Sequence, residues 1–124
     1  MIGALALVVP DYDQAIRFFC DGLGFTLTAD IDQGRKRWVT VQPAGGGVQL
    51  VLARATGARQ SAAVGDQAGG RVWLFLHTDD FARDAARIVA AGGVFEQDPR
   101  VEEYGTVAVW RDPWGNRWDL LQPI

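Results

Sequence analysis

The apolar positions of this chain come in short blocks with abrupt changes of period. Ala4 to Val9 is an apolar run too short for a helix and closed by Pro10, which predicts a buried strand. Asp11 follows as an N-cap, with Gln14 three residues on completing a capping-box pattern. Ala15, Ile16 and Phe19 recur at helical spacing, and Gly22 and Gly24 mark the stop. Three β-like stretches come next, Phe25–Asp30, Lys36–Gln42 and Gly47–Ala53, separated by turns at Gly34 and Gly45-Gly46-Gly47. The first fifty-odd residues therefore read β-α-β-β-β.

The second half repeats that order. Val72–Thr78 predicts a strand, and Asp79 or Asp80 caps a helix carrying Phe81, Ala85 and Ile88 on one face. Ala90-Ala91-Gly92-Gly93 ends that helix, Val94–Gln97 is a short strand, and Thr106–Arg111 and Arg117–Gln122 flank the turn Asp112-Pro113-Trp114-Gly115-Asn116. Both helices close alike, on Leu23-Gly24-Phe25 and Gly93-Val94-Phe95. The pattern is a duplication with a period of about seventy residues, not a solenoid, since there are only two copies. It divides the chain into module one (1–53), a connector (54–70) and module two (71–124) of a single domain. The connector is rich in Ala, Gly, Ser and Gln. It reads either as a mobile link or as a flap, because connections beyond about 12–15 residues often serve binding.

Composition narrows the function classes. With 124 residues, 48% hydrophobic and 22% charged, the chain can build a real core. Twelve basic residues are outweighed by fifteen acidic ones, which leaves no electrostatic footprint for nucleic acid. No apolar run reaches the ~18 residues of a membrane span, and the opening MIGALALVVP lacks the cationic flank and cleavage site of a signal peptide. One cysteine, Cys20, excludes an internal disulfide framework and fits a reducing cytoplasm; nothing beside it would activate the thiol. One histidine, His77, excludes a metal site built on several imidazoles of one chain.

The stretches Val8-Val9-Pro10-Asp11-Tyr12-Asp13-Gln14-Ala15-Ile16-Arg17-Phe18-Phe19, Leu23-Gly24-Phe25, Thr78-Asp79-Asp80 and Arg111-Asp112-Pro113-Trp114-Gly115-Asn116 resemble the vicinal oxygen chelate superfamily. That group holds glyoxalase I, extradiol dioxygenases, fosfomycin-resistance enzymes, methylmalonyl-CoA epimerase and bleomycin-binding resistance proteins. The resemblance covers essentially the whole chain. It implies an α+β fold in which two βαβββ modules form a curved, cup-shaped mixed sheet with helices on its outer face. It does not choose a reaction, because the scaffold hosts unrelated chemistries. Metal-using members chelate their ion with four side chains, whose positions fall on Ala4, Gln49, Trp73 and Asp119 of this sequence. Only Asp119 is a good ligand and Gln49 offers one neutral amide oxygen, so the resemblance implies a lost metal site and no cofactor.

Residues two apart on a strand share a face. With Trp73 inside the cup, Phe75 and His77 follow; with Asp119 inside, Arg117 and Leu121 follow. The family pattern adds Val107, Val109 and Arg111. Gln49, Trp73, Phe75, His77, Val109, Arg111 and Asp119 are accordingly the candidate ligand-binding set, mostly apolar with a few polar anchors. Trp73 and Phe75 either present an aromatic surface or plug the cup as core. His77 and Asp119 are the candidate acid and base, or His77 is a strand-end polar residue. Trp110 and Trp118 are expected on the helix-facing side, Trp38 on either. Trp114 stands in the hairpin turn, where an exposed aromatic marks a partner surface. Arg35-Lys36-Arg37 and Arg83/Arg87 read as solvated faces balanced by Asp84, Glu96 and Asp98.

Two functions of different class follow. One is a metal-free protein that holds a small organic molecule in an aromatic cup, as drug-sequestering resistance proteins do, and that pairs as a homodimer without nucleic-acid or membrane partners. The other is a lyase, isomerase or dioxygenase with a degenerate or relocated metal site, or with His77 and Asp119 as acid and base. An interaction protein with a filled cup is the plainest alternative.

Overall fold

The βαβββ order is present twice in the computed structural model, which describes residues 1–124. The chain divides into two units, Met1–Val64 and Gly65–Ile124. The division falls inside the expected connector, so its first part belongs with the first unit and its last six residues with the second.

In the first unit, β1 (Ala4–Val9), β2 (Thr26–Asp32), β3 (Arg37–Gln42) and β4 (Gln49–Arg54) form one sheet in the order β1-β4-β3-β2. β1 runs parallel to β4, from Ala4↔Gln49 to Val9↔Arg54. Helix α1 (Tyr12–Ile16) begins where the capping pattern places it, with the Asp11 carboxylate accepting from Gln14 N at 2.8 Å. The helix then widens into a π-helical run over Arg17–Gly22, marked by Leu23 N donating to Phe18 O at 3.0 Å. The wider turn lets two successive residues, Phe18 and Phe19, both enter the core, where Phe19 lies 5.4 Å from the Phe25 ring. Gly24, at φ 77°, takes the left-handed turn that ends the run. α1 packs over β3 and β4, closing a core of Leu7, Val9, Val39, Val41 and Leu52. The connector contains an unexpected element, α2 (Gly57–Ala63), none of whose residues is buried.

In the second unit, β5 (Val72–His77), β6 (Val94–Phe95), β7 (Arg100–Glu102), β8 (Gly105–Arg111) and β9 (Arg117–Pro123) give the order β5-β9-β8-β6, with β7 also pairing β8. Apart from β7, which the sequence pattern did not announce, the order repeats that of the first unit. Helix α3 (Phe81–Ala90) is capped by Asp80, whose carboxylate accepts from Arg83 N at 3.1 Å. Its Ile88 is buried, and Gly93 passes it so closely that a Cβ there would lie 2.5 Å from Ile88 Cγ2 and 3.2 Å from Trp110. The mixed α+β class with paired βαβββ modules is thus the observed fold. No helix is long and apolar enough to cross a membrane.

Candidate functional site

The second unit's site is built on the hairpin β8–β9, and Asp112 fixes that hairpin. Its Oδ1 accepts from the backbone N–H groups of Trp114, Gly115 and Asn116 at 3.0, 2.9 and 2.9 Å. Its Oδ2 accepts from Asn116 Nδ2 at 3.0 Å and from the Trp118 indole at 3.1 Å. Burial pushes the pKa of this carboxyl above its ordinary value, against the pull of the hydrogen bonds from Asn116, Trp118 and Trp114. The turn sets the register Arg111↔Arg117, Trp110↔Trp118 and Val109↔Asp119.

That register separates two faces. Trp110 and Trp118 stack at 5.0 Å on the side of α3, fully buried as expected. On the other face lies a row across three strands, Phe75–Asp119–Val109, with His77–Leu121–Val107 beside it. Phe75 is 61% exposed, whereas Val109 and Val107 are buried. Asp119 is half-buried between them, and its Oδ1 is buried with no hydrogen-bond partner. Burial pushes the Asp119 carboxyl up, partly offset by the charges of Arg100 and Arg117.

The structure changes the face assigned to Trp73 and adds partners to Arg111 and Glu96 that the sequence did not show. A β-bulge between Val72 and Leu74 interrupts the alternation of β5, and the half-buried Trp73 meets Trp118 edge-on, with centroids 6.4 Å apart. Trp73 thus packs against a residue of the helix-facing side instead of following the face of Phe75 and His77. Arg111 has an acidic partner: its Nε lies 3.3 Å from Glu96 Oε2, and Arg117 takes the same carboxylate at 2.8 and 3.2 Å. The Arg117 hydrogen bonds hold Glu96 below its ordinary value. Sequence reasoning treated Glu96 as general surface charge; its place in β-sheet space, opposite two arginines of different strands, has no local signature. Arg37, in turn, is balanced by Asp13 and Asp30 at 2.9 and 2.7 Å, and Arg83 and Arg87 by Asp79 and Asp84.

The candidate acid and base do not form a pair. Register puts Phe75 beside Asp119 and Leu121 beside His77, and the exposed His77 shares no hydrogen bond with Asp119. Cys20 is half-buried, and burial together with the Asp21 charge pushes its thiol up, away from a reactive thiolate. Trp114 is half-buried, and Trp38 is 43% exposed.

A family model described as Glyoxalase/Bleomycin resistance protein/Dioxygenase superfamily matches residues 1–120. The chain belongs to this superfamily. An uncharacterised protein of Shewanella frigidimarina (strain NCIMB 400) is 53% identical over 121 residues, which is 95% of this chain and 90% of that protein. Among solved structures, UcmS2 is similar at 29% identity and TM-score 0.80, covering 98% of this chain and 96% of its own. TnmS3, an antibiotic binding protein from Streptomyces sp. CB03234, is similar at 30% identity and TM-score 0.77, covering 100% and 96%.

Against the metal sites of the glyoxalase superfamily, the four ligand positions fit poorly. Ala4, paired in register with Gln49, carries no donor atom. Gln49 Oε1 already accepts from Thr28 Oγ1 at 2.5 Å, and Thr28 is bonded on to Thr40. Trp73 offers only an indole, and Asp119 is flanked in its row by Phe75 and Val109, neither of which can ligate. No three His, Cys, Asp or Glu side chains come together anywhere in the chain as a cation site would need. The donor set does not fit a divalent ion.

Proposed function

We propose that this chain is a small-molecule binding protein of the glyoxalase/bleomycin resistance superfamily that works without a metal. Its ligand would be an aromatic organic compound of the antibiotic class. The observation that carries this reading is the bare, buried Oδ1 of Asp119 next to the exposed ring of Phe75. A buried acceptor without a partner costs stability, so its presence is rationalised if a ligand N–H or O–H completes it. The exposed Phe75 supplies the apolar surface on which a flat ring stacks, with the polar group fixing orientation. The likeness to TnmS3, described as an antibiotic binding protein, supports the same class of role.

The test is calorimetric titration with doxorubicin, a flat aromatic antibiotic that carries an amine, on the metal-stripped protein. Saturable binding at one equivalent per chain is expected, and Phe75→Ala should weaken it about thirtyfold if the ring is a hot spot. Asp119→Asn should also weaken binding, by removing the charge that the amine meets. Binding unchanged in both variants would place the ligand elsewhere and overturn the reading. Elemental analysis finding about one transition metal per chain, retained through dialysis, would instead favour the enzyme alternative.

A further inference from the structure

A second candidate site, sharing no residue with the set above, lies wholly in the first unit, where the sheet splits. β3 and β4 pair only at Thr40↔Val51 and Val41↔Leu50. Beyond that point, Trp38 and Arg37 remain paired to Ile31 and Asp32 of β2, while Leu52 and Arg54 remain paired to Leu7 and Val9 of β1. Between the diverging strands opens a cleft of about 280 Å³.

The chemistry of its walls is one-sided. Trp38, 43% exposed, and Tyr12 supply aromatic surface, and Arg35, Lys36, Arg37 and Arg54 supply charge, with no carboxylate in the lining. Four of the twelve basic residues of a chain with net charge −3 thus converge on one opening. Arg37 is occupied by Asp13 and Asp30. Arg35, Lys36 and Arg54 make no ion pair. Arg54 is nevertheless held in place, its guanidinium 5.5 Å from the Tyr12 ring centroid, with Arg37 at 5.2 Å from the same ring. An adjoining groove is lined by the same four basic residues together with Asp11, Asp13 and Asp32; of these Asp13 pairs with Arg37, while Asp11 caps α1 and Asp32 accepts from Gly34 N at 2.8 Å.

We propose that this cleft binds a small aromatic carboxylate, with its ring against Trp38 and its carboxylate on Arg54, Arg35 and Lys36. An arginine already oriented by a ring loses little freedom when it takes a carboxylate, and its planar fork suits that group. The volume, at the small end of ligand sites, suits one or two fused rings.

The experiment is calorimetric titration at low salt with three probes: 1-naphthoate, its neutral analogue 1-naphthamide, and inorganic phosphate. Naphthoate should saturate one site per chain, with naphthamide and phosphate each at least about tenfold weaker, since each lacks either the charge or the ring. Arg54→Gln should cost naphthoate about tenfold and leave naphthamide unchanged. Lys36→Gln, at an exposed side chain without an ion pair, should weaken naphthoate several-fold with the melting temperature unaltered, which keeps the test valid if Arg54→Gln disturbs the Tyr12 packing. Phe75→Ala should change nothing. Equal affinity for naphthoate and naphthamide, phosphate binding as tightly as naphthoate, no binding up to millimolar naphthoate, or loss in Phe75→Ala with both charge variants intact would each overturn the proposal. Failure here leaves the doxorubicin titration untouched.

Discussion

Replacing Asp112 by alanine removes one carboxylate and takes a hydrogen bond from five donors, three on the backbone of the turn and two on the side chains of Asn116 and Trp118, although Gly115 N keeps its bond to the Asp112 carbonyl. Trp114 and Gly115 are half-buried, so water can reach part of the loss there. Asn116 and Trp118 are 3% and 2% exposed, and their donors have no such recourse. An unsatisfied buried donor costs about 1–3 kcal/mol. Two counted in full and the turn amides counted weakly give about 3–5 kcal/mol, to which the lost side-chain packing adds little. For a chain of this length that is a fall in melting temperature on the order of 10–20 °C. Asp112→Asn keeps one acceptor oxygen for the turn amides but turns an NH₂ toward Asn116 and Trp118. Its cost should therefore be intermediate, about 1–2 kcal/mol. Urea denaturation followed by far-ultraviolet circular dichroism measures both variants, and the indole N–H resonance of Trp118 reports the bond directly. The reasoning fails if Asp112→Ala loses less than about 1 kcal/mol, or if the Trp118 resonance does not move. The consequence reaches the ligand face, because the same turn sets the register that places Asp119 between Phe75 and Val109.

Asp119 should behave in the opposite sense. Its folded-state value is raised, so the native state holds the proton more tightly than the unfolded chain, and stability falls as pH rises from the ordinary carboxylate range through the raised value. Asp119→Asn should raise the melting temperature at neutral pH, with the gain disappearing in acid; a lower melting temperature at pH 7 would count against a bare carboxylate. Glu96, whose value is lowered by Arg117, contributes stability that is present at neutral pH and lost as pH falls through its folded value. Glu96→Gln should accordingly destabilise at pH 7 and be neutral in acid. Trp118→Ala should cost ~3–5 kcal/mol as a core truncation and the half-buried Trp73→Ala roughly 1–2 kcal/mol; equal losses by urea denaturation would contradict the two burial levels. We expect a homodimer, since β2 and β5 leave open sheet edges, and sedimentation at micromolar concentration should give about twice the 13.5 kDa chain mass. A monomer across that range refutes the expectation.

What the sequence determined by itself is local or repeated. Asp11 with Gln14, Asp80 before Phe81, and Asp112-Pro113-Trp114-Gly115-Asn116 each carry their own hydrogen-bond chemistry, and all three form as their spacing dictates. The period-two patterns of β8 and β9 assigned Trp110 and Trp118 to the buried side for the same reason: alternation along an uninterrupted strand needs no knowledge of the partner. Tertiary structure decided whatever depends on pairing between distant segments. The bulge that turned Trp73 away from Phe75 exists because β5 must match β9, and nothing within Val72–His77 encodes the slip. β7 forms only because β8 offers it an edge, and its three residues are too few to show a period. The weakly patterned α2 lay below what periodicity can detect, and the π-helical run follows from the need to bury both Phe18 and Phe19. Glu96 meets Arg111 and Arg117, and Arg54 meets Tyr12, across separations of 15 to 42 residues that only the folded sheets close. The two candidate sites depend on those closures: the buried oxygen of Asp119 is set by strand register, and the cleft at Trp38 by the place where one ladder ends.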